Sequence, residues 1–188
     1  TPIVRLASIS DLPSIHELIK ESFLAMGDYY PSLTEMFARG AESAFTPGGD
    51  IHKDTFNQTY HGKSFWVCEV NKNIVGCVGL KRTGDDDGEL VRMSISSKLR
   101  GGGVGQKVFK TLEDFCISNN ILRIQAFTGN PGAASFYIKK CGFIIANASK
   151  MVIRGEELSI THIVKHLGER VIRRVAIVGG THGNERTG

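Results

Sequence analysis

The run Leu99-Arg100-Gly101-Gly102-Gly103-Val104-Gly105-Gln106 constrains this chain more than any other. Before it stands Glu89-Leu90-Val91-Arg92-Met93-Ser94-Ile95, apolar and β-branched. After it, apolar residues at 108, 109, 112, 115 and 116 keep the spacing of one helical face. Strand, glycine turn and helix in that order bring a helix N-terminus up to a place where the backbone can approach a ligand with no Cβ in the way. The first helical turn leaves N–H groups unpaired and carries partial positive charge, which suits phosphate. The segment reads as a diphosphate cradle.

Other phosphate sites fit poorly. No Lys-Ser/Thr pair follows the glycines, as a nucleotide P-loop requires. A dinucleotide fingerprint would sit on an early strand with a different glycine spacing. The 188 residues have room for one full domain and part of another, and the composition is that of a soluble globular protein. A net charge of +4 is scattered along the chain with no basic block, which argues against a nucleic-acid partner. No apolar run approaches the ~18 residues of a membrane span, and no signal-peptide pattern opens the sequence. Cys68, Cys77, Cys116 and Cys141 lack zinc-site spacing and read as buried free thiols in a reducing compartment, so a cytoplasmic location is expected. The triplet Asp85–Asp87 reads as a solvated turn rather than a metal site.

Along the chain, residues 2–8 alternate like a short strand. Ser10 can cap a helix whose first turn holds Asp11 and Pro13, with a buried stripe at 12, 15, 18, 19, 23 and 26. A short helix is expected from Ser32 to Arg39, then a loop around Thr46–Asp50. Residues 64–70 and 74–80 flank Asn71-Lys72-Asn73 as a β-hairpin. Residues 122–127 read as a strand, and Asn130-Pro131 opens a helix to about Lys140. Residues 142–146 and 150–154 read as two late strands, and 158–164 as a further one. This order indicates an α/β protein with a mixed sheet and helices on both faces.

Two motifs carry a family resemblance. Arg100-Gly101-Gly102-Gly103-Val104-Gly105 resembles the acyl-CoA signature of the GNAT N-acetyltransferases, Arg/Gln-x-x-Gly-x-Gly/Ala. Asn130, Ala133, Phe136, Tyr137 and Gly142-Phe143 resemble that family's late helix and following strand. The resemblance covers about residues 2–164 and implies a mostly antiparallel sheet with a splayed central strand pair. It implies acetyl-CoA as cosubstrate, with Arg100, Gly101, Gly102, Gly103, Val104, Gly105 and Gln106 at the pyrophosphate. Met93, Ser94 and Ile95 would pair with the pantetheine arm, and Asn130, Ser135 and Tyr137 would contact the cofactor. Tyr137 matches the position of a phenol that protonates the leaving thiolate, with ordinary helix-to-sheet packing as the alternative. Glu89 matches a strand glutamate that acts as general base, with a solvent-facing carboxylate as the alternative. Arg92, on a strand expected to be buried, needs an acidic partner, and a structural salt bridge is favoured over a substrate carboxylate. Asp28, Tyr29, Tyr30 and His61 fall in the region that covers the acceptor in this family.

Residues 165–188 fall outside this pattern. Arg173–Glu185 resembles the opening of the aspartoacylase and succinylglutamate desuccinylase family. There His182 and Glu185 would be zinc ligands in a longer parent chain, where a third could be supplied. The expected organisation is an acetyltransferase domain over 1–164, then a linker and the start of a second domain over 165–188. Such a fusion points the acceptor toward the α-amino group of a small amino acid such as aspartate or histidine. Three readings follow: acetyl transfer to a small-molecule amine, acetylation of protein lysines or N-termini, or a non-catalytic CoA-binding regulatory domain. Homodimerisation stays open.

Overall fold

In β2 (Phe65–Val70), Phe65 and Val67 pack to one side, Trp66 and Cys68 to the other, and all four are buried. A sheet with two apolar faces needs cover on both. The computed structural model describes residues 1–168 and supplies that cover. Helices α4 (Val104–Ser118) and α5 (Pro131–Cys141) close one face through Val108, Phe109, Leu112, Cys116 and Tyr137. On the other face, α1 (Leu12–Ala25) and α3 (Phe56–Tyr60) bury Ile15, Ile19, Phe56 and Tyr60, and α2 (Thr34–Ser43) packs on α1. The remaining strands are β1 (Ile3–Leu6), β3 (Asn73–Arg82), β4 (Asp87–Ile95), β5 (Arg123–Thr128), β6 (Ile144–Ile153) and β7 (Glu156–His166). They form one sheet in the order β1-β2-β3-β4-β5-β7-β6, antiparallel except for the parallel pair β4/β5. All four cysteines are buried and free, and no described helix is long and apolar enough to cross a membrane.

The parallel pair is short. Asp87, Gly88 and Glu89 face Arg123, Ile124 and Gln125, and there the pairing stops. β5 continues alongside β7 to Thr128, while β4 stays with β3 to Ile95, so the two central strands part as a fork. A β-bulge in β4 accompanies the split: Cys77 faces Ser94 and Gly79 faces Val91, which sets Val78 against both Arg92 and Met93. Arg92 takes the extra place with φ 56°, a left-handed conformation that costs an ordinary residue about 1 kcal/mol or more.

Two local expectations are corrected. The first helical region is capped from Ser8, not Ser10. Residues 9–11 form a 3-10 turn in which the Ser8 N–H donates to Asp11 Oδ2 at 2.8 Å and the Asp11 N–H donates to the Ser8 carbonyl at 2.9 Å. The guanidinium of Arg5, from β1, binds the same carboxylate at 2.8 and 2.9 Å, which a sequence window around Ser10 does not reveal. The strands expected at 142–146 and 150–154 are one strand, β6. It lies at the sheet edge with nearly every residue exposed, so Asn147, Ser149 and Lys150 sit in it at no desolvation cost. A register shift between Ile145 and Asn147 also breaks its alternation.

A third cluster joins the α1–α2 connection to the β6–β7 hairpin. Tyr30, Leu33 and Phe37 pack with Leu158, flanked by Phe23, Met26, Ile153 and Ile160. The buried Tyr30 hydroxyl donates to the Gly129 carbonyl at 2.9 Å, and the Ser32 N–H donates to Glu156 at 3.0 Å. β7 runs to His166, two residues past the boundary expected at 164. The zinc-ligand positions His182 and Glu185 lie outside the described residues.

The bonds from Arg5, followed by those from the Ser8 main chain, hold the Asp11 carboxyl below its ordinary value. A depressed carboxyl stabilises the fold above the unfolded-state pKa, and that contribution disappears as pH falls through the folded one. Asp11→Asn is expected to lower stability at neutral pH by roughly 2 kcal/mol, with the gap to wild type narrowing below about pH 4. Urea unfolding across that pH range measures it; a gap independent of pH would contradict the assignment.

Candidate active site

The fork opens a cleft of about 1030 Å³ that runs from the glycine turn, between the parted strands, to the α1–α2 side of the sheet. Met93, Ser94 and Ile95 border it from β4, and Ala126, Phe127 and Thr128 from β5. Because β5 has left, the edge of β4 beyond Glu89 has no strand partner. Main-chain groups there are free to pair with an extended ligand, as another strand would.

At one end lies the glycine turn. Gly103 is the N-cap of α4 with φ 79°, a conformation that glycine adopts freely. Gly105 sits against α5, where a Cβ would lie 2.9 Å from the Phe136 ring, so glycine lets the two helices approach. Arg100, Gly101, Gly103, Gly105 and Gln106 line the cleft. The N–H groups of the first α4 turn have no helical acceptor. Arg100 and, from α5, Lys140 add positive charge at this end. Gly102 is exposed beside the turn, and Val104 buries its side chain in the core, so each would offer a ligand its main chain.

Helix α5 forms the next wall with Ala133, Phe136, Tyr137 and Lys140, an i, i+3, i+4, i+7 stripe. Ser135 falls off that stripe and is not among the residues that line the cleft. Asn130 lines the cleft as the α5 N-cap. Its Oδ1 accepts from the Gly132 and Ala133 N–H groups at 2.9 and 3.2 Å, leaving its NH₂ as the group a ligand could use. Tyr137 is 6% exposed and reaches the cleft wall, and its hydroxyl has no hydrogen-bond partner among the described residues. Burial pushes its phenol above the ordinary value, so it stays protonated at neutral pH and can donate.

Glu89 stands at the last paired position of the fork, half-buried on the cleft wall, with Lys81 of β3 as its cross-strand neighbour on the same wall. It does not face away beside the Asp85–Asp87 turn. Asp28 and Tyr29 also line this end, whereas the other two residues expected there do not. Tyr30 is committed to Gly129 in the buried cluster, and His61 is an exposed, left-handed C-cap of α3 outside the cleft.

Arg92 has its acidic partner. Asp50 receives Arg92 Nη2 at 2.7 Å, Arg92 Nε at 3.2 Å and the Tyr60 hydroxyl at 2.6 Å, with Lys81 Nζ 3.9 Å away. Burial raises the Asp50 carboxyl, but the Arg92 and Tyr60 bonds outweigh it and hold it below the ordinary value. Residue spacing does not reveal Asp50, because 42 residues separate it from Arg92. The same holds for Glu21 on α1, which accepts the Ser97 N–H at 2.7 Å and braces the chain entering the glycine turn. Lys81 carried a weak signal, as the first of two basic residues that end the apolar run of β3.

The chain is similar to known proteins in sequence and in fold. The model of a family described as "Acetyltransferase (GNAT) family" matches residues 26–143. Human N-acetylaspartate synthetase is 33% identical over 60 residues, 31% of this chain and 20% of that protein. Rat N-acetyltransferase 8 is 30% identical over 99 residues, 49% of this chain and 44% of that protein. The match thus spans less than half of either relative. Among solved structures, a GNAT superfamily phosphinothricin acetyltransferase from Sinorhizobium meliloti, in complex with AcCoA, superposes with TM-score 0.66 over 90% of each chain at 21% identity, a likeness of fold.

The burial of Tyr137 has a direct readout. Alkaline titration at tyrosinate absorbance is expected to count the same number of ionising tyrosines in wild type and Tyr137→Phe up to about pH 11. One fewer in the variant would show that the phenol is open to water.

Proposed function

This chain belongs to the acetyltransferase (GNAT) family, and on that premise we propose that it moves an acetyl group from acetyl-CoA to the primary amine of a small amino acid or related metabolite. The observation that carries this reading is the fork. One cleft joins a helix N-terminus fit for pyrophosphate to a carboxylate and an ammonium on the far side of the sheet. Acetyl-CoA would lie with its pyrophosphate on the Gly101–Gln106 amides, near Arg100, and its pantetheine arm along Met93–Ile95. A main-chain N–H in that stretch would polarise the thioester carbonyl.

The amine arrives as an ammonium. Glu89 takes its first proton, directly or through water; the nitrogen then attacks the carbonyl carbon and forms the C–N bond as the C–S bond breaks. Tyr137 gives its proton to the departing thiolate and is reprotonated from the nitrogen as the amide forms. The products are the acetylated amine, CoA thiol and one proton. No cysteine is among the cleft-lining residues, which supports direct transfer over an acyl-cysteine intermediate.

Two features support a small amino acid as acceptor. The pair Glu89 and Lys81 offers a carboxylate for an amine beside an ammonium for a carboxylate. The Tyr30–Leu33–Phe37 cluster, tied to Gly129 and Leu158, bridges the acceptor side and favours a compact molecule over an extended polypeptide. The human relative's name, which denotes synthesis of an acetylated amino acid, agrees with this reading.

Thiol release from acetyl-CoA, followed with a panel of amino acids, polyamines and peptides, tests the proposal. Amino acids are expected to stimulate release. Tyr137→Phe should lower kcat on the order of 10²-fold while CoA affinity holds. Lys81→Met should raise KM for amino acids about tenfold without affecting amines that lack a carboxylate. No acceptor-stimulated release across the panel would refute the reading.

A further inference from the structure

The bulge residue of β4 is held at both its side chain and its carbonyl, and none of the groups that hold it lines the cleft. Its side chain lies in the fork of Asp50, at 2.7 and 3.2 Å. Its carbonyl accepts a hydrogen bond from the Cys77 thiol at 3.3 Å. Asp50 is itself fixed by the Tyr60 hydroxyl at 2.6 Å. The side chain of Asp50 is only 12% exposed, and its loop joins α2 to α3, on the face of the sheet opposite α4 and α5. A carboxylate on one face thus restrains a left-handed residue whose next neighbours, Met93, Ser94 and Ile95, border the cleft.

We propose that Asp50 is a positioning residue for acetyl transfer: by holding Arg92 at positive φ it aims the Met93–Ile95 peptide groups at the thioester. This rests on the acetyltransferase reading above. Two properties of the contact support it. First, the guanidinium meets both carboxylate oxygens, so the pair fixes direction as well as distance. Second, the bulge sets where the β4 backbone points after the fork, and a displacement of about 1 Å in such a group can cost on the order of 10²-fold in rate. Affinity for the cofactor should depend far less on this contact, because pyrophosphate would be bound at the glycine turn.

Three variants test the assignment: Asp50→Asn, Arg92→Ala and Arg92→Gly. Both Arg92 variants lose the guanidinium and leave Asp50 in the same surroundings, but only glycine accepts positive φ without strain. Asp50→Asn and Arg92→Ala are expected to lower kcat at least about tenfold with the CoA dissociation constant, by calorimetry, within about twofold of wild type. Arg92→Gly is expected to turn over at least about fivefold faster than Arg92→Ala. Equal rates for the two Arg92 variants, or wild-type kcat in Asp50→Asn, would overturn the proposal. Should Asp50→Asn fail to fold, the Arg92 pair still decides it. Amide hydrogen exchange separates this proposal from the reading it rests on. Faster exchange over residues 91–95 in Asp50→Asn supports the restraint even if wild type binds no CoA, and unchanged exchange refutes it.

Discussion

The structure depends on where strands β4 and β5 stop sharing hydrogen bonds. Three paired positions, ending at Glu89 and Gln125, hold the middle of the sheet together, and beyond them the strands part. Interior strands seldom forgo pairing, because unpaired N–H and C=O groups away from water are costly. Here the cost is limited because the free edge opens onto the cleft, where water or a ligand can pair with it. Everything placed around the fork keeps it open: the bulge that turns β4, the glycine turn that follows, and α5 standing against α4 across Gly105.

The fork also explains the polarity of the site. β4 and β5 are parallel, so the chain after β4 must cross over through a helix before β5 begins, and α4 therefore starts at the fork's open end. Its positive N-terminus faces the cleft by topology, at the carboxyl ends of the parallel strands. An acidic and a basic group, Glu89 and Lys81, border the cleft near the closed end, where β4 and β5 still pair.

What the sequence made legible was local. The glycine turn, the α4 stripe and the Asn130–Phe143 segment are contiguous patterns, and they placed both helices that wall the cofactor end. The free cysteines and the need of Arg92 for a carboxylate were legible too, because burial on a central strand allows few alternatives. Asp50, Glu21 and the Tyr30–Gly129 bond join residues 42, 76 and 99 positions apart, so no local window contains them. Motif membership does not say which way a helical residue faces, so it did not reveal that Ser135 lies off the α5 stripe or that Val104 turns its side chain into the core. The β6 strand was split because an edge strand tolerates polar residues that elsewhere signal a turn. Glu89 and Tyr137 lie between these cases: motif position pointed to them, and only the fold brings both to one cleft.

A crystal structure of the protein with bound CoA tests the central claim most directly. The account predicts pyrophosphate on the amides of residues 101–106 and the pantetheine arm hydrogen-bonded to the β4 main chain at Met93–Ile95, with the fork still open. CoA bound elsewhere, or β4 and β5 paired through to Thr128 with the cleft closed, would contradict it.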